Sequence, residues 1–213
     1  MQLLQLYKKL LNHFGPQKWW PADEPFEVVV GAVLTQRTNW RNVEKAIKNL
    51  KAAKMLNPEK LATVDLNKIE KLIRPSGFYK QKAERLKTIS IYISNNKINN
   101  LMGLQTQHLR EELLKIKGVG KETADSILLY ALEKPVFVVD AYTQRIFERV
   151  GIVKNKMTYD ELQSFIEDKI DRNATLYKEF HALIVLLGKE YCKTDPICNK
   201  CPLECEYLLK NKI

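Results

Sequence analysis

Apolar residues in this chain return at helical intervals and almost never alternate, a pattern that leaves little room for a sheet. Val43, Ala46, Ile47 and Leu50 share one face of a helix. So do Ala124, Ile127, Leu128 and Ala131, and so do Thr143, Ile146, Phe147 and Val150. Punctuation is sparse, with 8 glycines and 8 prolines. It falls at Gly15-Pro16, Pro21 to Pro25, Asn57-Pro58, Pro75-Ser76-Gly77, Gly118 to Gly120, Lys134-Pro135 and Gly151. The pattern predicts an all-α fold of about ten helices joined by short loops, with VFVV (136–139) as an extended connector. No internal repeat, low-complexity tract or long linker breaks it.

A chain of 213 residues can form one domain or two small ones around a sizeable core. No apolar run approaches the ~20 residues a membrane span requires. The N-terminal MQLLQLYKKLLNHFG is amphipathic and carries no small-residue cleavage site, so the expectation is a cytoplasmic protein without a membrane partner. Net charge is +10. Such a balance favours a polyanionic partner, although a lysine-rich solvated surface gives the same count.

All 4 cysteines fall within CKTDPICNKCPLEC, as Cys192, Cys198, Cys201 and Cys205. Disulfides that staple a small secreted fold are spread along the chain to close loops. Four thiols in one short stretch instead suggest a metal site, either an iron–sulfur cluster or tetrahedral zinc.

The stretch LKIKGVGKETADSILLYAL (114–132) joins two helical patterns through Gly118-Val119-Gly120. The first helix reads LREELLKI, and Lys121 opens the second, with Thr123 in its first turn. Two glycines remove the Cβ atoms that would hold a ligand off the backbone, leaving amide donors at a helix N-terminus for an anion. Lys117 and Lys121 bracket the turn and add charge. An ordinary glycine-capped αα-corner would look the same. Downstream, Asp140 follows the apolar run VFVV; alone, it reads equally well as the N-cap of the helix that follows.

Taken together, FEVVVGAVLTQRTNWRNVEKAI, SGFYKQKAERL, GVGKETADSILLYA, VFVVDAYTQRIFERVG and EFHALIVLLGKEYC resemble, in order, the endonuclease III superfamily of helix-hairpin-helix DNA glycosylases. The resemblance covers most of residues 26–205. It implies two helical lobes with a central DNA-binding cleft: a six-helix-type lobe over 26–134, and a discontinuous one formed by 1–25 plus 135–213. Asp140 would stand at the mouth of that cleft. The partner implied is double-stranded DNA with a damaged base, bound by a nucleoid-associated monomer. Lys117, Gly118, Val119, Gly120, Lys121 and Thr123 would grip phosphates without reading sequence. Gln36 or Arg37 would fill the hole left by a flipped nucleotide. Asp140 would be catalytic, stabilising an oxocarbenium-like sugar and activating water. The cysteines resemble the superfamily's [4Fe–4S] loop, with tighter first and last gaps; structural zinc is the alternative.

One departure bears on mechanism. Bifunctional members carry a nucleophilic lysine two positions after the second hairpin glycine, where this chain has Glu122. A carboxylate forms no Schiff base, and the adjacent Lys121 points about 100° away around the helix. The expectation is therefore a monofunctional glycosylase without robust lyase activity. Trp-Trp-Pro upstream, LTQ-x-T-x-aromatic, and glutamate in the lysine slot are similar to the bacterial 3-methyladenine glycosylase branch. That likeness implies a base pocket of Trp20, Pro21 and Trp40, with Trp19 and Glu122 beside them; a cationic alkylated purine gains from aromatic faces. Some alkyl-base relatives lack the four cysteines. The rival readings are a bifunctional enzyme for oxidised pyrimidines, a mismatch glycosylase and a non-catalytic DNA-binding module. His181 reads as a packed histidine.

Overall fold

The computed structural model describes residues 2–203. Among them are twelve α-helices and no strand. Helix α1 (Leu3–Phe14) opens the chain. It is followed by α2 (Pro25–Leu34), α3 (Trp40–Ala52), α4 (Pro58–Thr63), α5 (Leu66–Ile73), α6 (Tyr79–Asn96), α7 (Ile98–Met102), α8 (Thr106–Lys115) and α9 (Lys121–Ser126). Helices α10 (Ala141–Arg149), α11 (Tyr159–Glu167) and α12 (Ala174–Glu190) complete the series. The count exceeds the expectation because α4 and α7, of 6 and 5 residues, are too short to show a periodic face. Starts follow side-chain chemistry. Asn39, Asn57, Asp65, Asp140 and Asn173 each accept an amide of the first turn, and Thr158 with Glu161 forms a capping box.

The described residues divide into two compact units: residues 20–134, and residues 2–19 with 135–203. In the first, α2 is apolar on nearly every face and buried from Phe26 to Leu34. Its one acid, Glu27, is buried against Lys51 Nζ at 2.8 Å. Helix α6 packs against α4 and α5 and carries Lys82 into the interior. The periodic run after the hairpin is not one regular helix: α9 gives way to a π turn over Ile127–Ala131, closed by Leu132 N–H donating to Ile127 O.

In the second unit, α1 and α10 both pack on α12. Leu3, Leu6 and Leu10 are the buried stripe of α1, and Phe137, Phe147, Tyr177 and Phe180 form an aromatic core. The connector Val136–Val139 is buried and has no regular structure, so its backbone needs partners from elsewhere. Helix α11 supplies them: Phe137 N–H donates to Glu167 Oε1 (2.7 Å), and Phe137 O accepts from Gln163 Nε2 (2.6 Å).

Candidate active site

The hairpin is built to hold one shape. Gly118 sits at φ +86°, and a Cβ there would overlap the Arg85 side chain. Val119 is buried and pins the tip to the core, while Lys117, Gly120 and Lys121 are exposed. Among the described residues the Gly118 and Gly120 amides meet no protein acceptor, which leaves them to solvent or a ligand. Beneath the turn, Gln36 Nε2 donates to Gly118 O (3.1 Å) and Thr123 Oγ1 (2.9 Å). Its Oε1 accepts from Arg85 Nη1. Arg110 grips the fully buried Asp125 in a bidentate pair at 2.7 and 3.0 Å, clamping α8 to α9. Gln36 and Thr123 therefore lie behind the hairpin as its support. Arg37 is exposed on left-handed backbone (φ +53°).

Two of the expected pocket aromatics meet. Trp20 packs edge-on against Trp40 (5.3 Å, 81°) and against Tyr130 (5.3 Å, 61°), and its ring lies over Gly31. A Cβ on Gly31 would stand 2.9 Å from Trp20 Cζ2, so only glycine lets the indole settle there. Pro21 and Glu122 are exposed. Trp19 belongs to the other unit, where Lys189 Nζ lies 5.3 Å from its ring. Nothing in the sequence marks Tyr130, which the π turn delivers, or Phe78, which stands 59% exposed on left-handed backbone at the head of α6.

Asp140 caps α10. Its Oδ1 accepts both the amide and the hydroxyl of Thr143 at 2.8 Å, and its Oδ2 lies 3.6 Å from His181 Nε2. Burial alone would raise this carboxyl. The His181 contact and the two Thr143 bonds outweigh it and hold the acid below the ordinary range, ionised at neutral pH. Both readings of the sequence, cap and charged acid, are thus compatible in one side chain.

Cys192, Cys198 and Cys201 line one apolar pocket with Val150, Leu187, Tyr191 and Leu203. Arg149 Nη1 approaches Cys192 Sγ at 3.6 Å, and Arg145 Nε donates to Cys192 O at 2.8 Å. Cys205 lies outside the described residues. Among the described residues no group of three or more His, Cys, Asp or Glu is gathered closely enough to hold an ion. The donor chemistry still suits a thiolate-bound group: three sulfurs on one pocket, with a guanidinium against one of them.

Residues 30–172 match the HhH-GPD superfamily of base excision DNA repair proteins. A Methanocaldococcus jannaschii protein provisionally named a DNA repair glycosylase is 48% identical over 95% of this chain and 94% of its own. Endonuclease III of Thermotoga maritima is 34% identical, over 95% of this chain and 92% of its own. Among solved structures, the H. pylori 3-methyladenine DNA glycosylase MagIII bound to 1,N6-ethenoadenine is similar at a TM-score of 0.77 with 36% identity. The likeness covers 89% of this chain and 98% of that one. This chain therefore belongs to the HhH-GPD base excision repair superfamily, as a DNA glycosylase.

Proposed function

We propose that this protein is a monofunctional DNA glycosylase that removes an alkylated purine such as 3-methyladenine from double-stranded DNA. The observation that carries the monofunctional reading is Glu122, exposed in the first turn of α9 where a lyase needs an amine. The Trp20–Trp40–Tyr130 cluster and the 36% identity to MagIII support the substrate class. The hairpin amides with Lys117 and Lys121 take backbone phosphate, and Arg37 or Phe78 suits the gap left by an extruded nucleotide.

The chemistry asks little of the protein when the leaving base is already cationic. As the C1′–N bond breaks, both its electrons neutralise the purine, and positive charge develops on the sugar. The Asp140 carboxylate stabilises that charge, then accepts the proton of the water whose oxygen bonds C1′. Cys192, Cys198, Cys201 and Cys205 would hold a [4Fe–4S] cluster, with zinc the alternative filling. Once bound, the group would fasten the loop on which Lys193 and Lys200 stand. The protein is proposed to act as a cytoplasmic, nucleoid-associated monomer. No helix among the described residues is long and apolar enough to cross a membrane.

The likeness to Thermotoga maritima endonuclease III favours a second reading, in which Lys121 attacks the sugar as an amine. One assay separates the two: base release from alkylated, oxidised, deaminated and mismatched duplexes, with strand breaks scored before and after alkali. The expected outcome is release from alkylated DNA with breaks only after alkali. Breaks without alkali, together with borohydride trapping, establish the lyase instead.

A further inference from the structure

His181, a packed histidine by its sequence context, does more than pack. It is buried on α12, with Nε2 3.6 Å from Asp140 Oδ2, and its ring meets Phe137 edge-on (6.4 Å, 87°). Asp140 Oδ1 already accepts two donors from Thr143, so Oδ2 is the oxygen left to face a sugar cation or take a proton. The Asp140 side chain is 12% exposed and that of His181 8%, so water screens the pair little. At 3.6 Å the contact lies outside ordinary hydrogen-bond length. The imidazole can steer the carboxylate without occupying Oδ2.

We infer that His181 is a positioning residue for Asp140: through Nε2 it fixes the orientation of the carboxylate that the reaction uses. This rests on the reading of Asp140 as the catalytic acid. His181 touches no reacting atom and exchanges no proton in the step. Water gives its oxygen to C1′ and its proton to Oδ2. The groups that bear on the Asp140 charge are His181 from α12 and Thr143 from α10 itself. A histidine that only filled space would be replaceable by an apolar residue of similar volume, with no effect on the acid's charge.

The test uses His181→Leu, His181→Gln and Asp140→Asn in the full-length protein. In the free protein, the Asp140 carboxyl is followed by carbon-13 NMR, with Asp140→Asn giving the assignment. In His181→Leu it should titrate at higher pH than in the wild type, and His181→Gln, which returns a donor near Nε2, should restore most of the difference. On duplex DNA methylated with dimethyl sulfate, His181→Leu should lower the single-turnover rate by roughly tenfold or more. Binding to a duplex with a tetrahydrofuran abasic analogue should stay within about twofold. An unmoved Asp140 titration in His181→Leu overturns the proposal, and so does a His181→Gln protein as impaired as His181→Leu. Full activity in Asp140→Asn overturns the reading of Asp140 itself, and the NMR result still reports separately on the His181 contact.

Discussion

At the scale of single residues, Lys82 is the most buried cation among the described residues, about 1% exposed. Its Nζ donates to Leu34 O at the end of α2 (2.9 Å) and to Ser76 O (2.7 Å), two carbonyls with little access to water. Burial, with Arg85 adding a smaller repulsion, lowers its pKa from 10.5 to about 8. A lysine with a depressed folded pKa binds fewer protons folded than unfolded, so folding gains stability as pH rises from about 8 to about 10.5. Lys82→Met would strand both carbonyls, at ~1–3 kcal/mol. The wild type's lead over that variant should widen between pH 7 and pH 10 in urea unfolding. A lead independent of pH would show that the ammonium is not desolvated. From sequence the residue is only one lysine of SGFYKQKAERL, because alternation of polar and apolar positions cannot tell a capped interior ammonium from a solvated one. The same holds for His181 and Tyr130. Asp140 is legible as a helix cap from the VFVV run before it and the helical face of Thr143, Ile146, Phe147 and Val150 after it; its catalytic reading comes only from the family resemblance.

At the scale of elements, the hairpin was readable from its glycines, but what supports it was not. Gln36 reaches Gly118 and Thr123 across 82 and 87 residues of sequence, and Arg85 reaches Gln36 across 49. Periodicity reports only which face of one helix turns inward, so contacts of that range leave no trace in it. The π turn after α9 is hidden for a related reason: it inserts a residue into the helical repeat without changing its polarity. Support and grip should separate by experiment. Gln36→Leu leaves Gly118 O, Thr123 Oγ1 and Arg85 without this partner, costing ~1–3 kcal/mol, and should speed amide exchange over residues 116–124. It should weaken duplex binding several-fold with little change in salt dependence, because Lys117 and Lys121 remain. Lys117→Ala with Lys121→Ala should also weaken binding but leave amide exchange native, flattening the plot of log affinity against log salt by about 0.9 for each phosphate no longer neutralised. A Gln36→Leu protein with native exchange and native affinity would show that the hairpin needs no support from behind.

Across the whole molecule, the two units divide the work. The hairpin proposed to grip phosphate and the aromatic cluster belong to one, Asp140 and the cysteine loop to the other. Within the second unit, loop and acid are joined through α10. Arg145 holds Cys192 O, and Arg149 holds Cys192 Sγ together with Thr194 O (3.0 Å), while Asp140 caps the same helix. A metal group bound only by the folded loop stabilises the fold by mass action, and that stabilisation should extend to α10 and its capped end. Chelation under anaerobic conditions should therefore lower the melting temperature of the second unit and raise amide exchange over residues 140–149. Base release should fall, while salt-dependent binding to undamaged duplex, proposed for the hairpin unit, should survive. Elemental analysis of the untreated protein should find iron and acid-labile sulfide in equal amounts. Zinc without sulfide would replace the cluster with a structural ion and leave the rest of the prediction standing. The link itself is tested by Arg149→Met: it should loosen the loop and α10 together, and a loop that frees itself while α10 keeps its native protection would show the two to be independent.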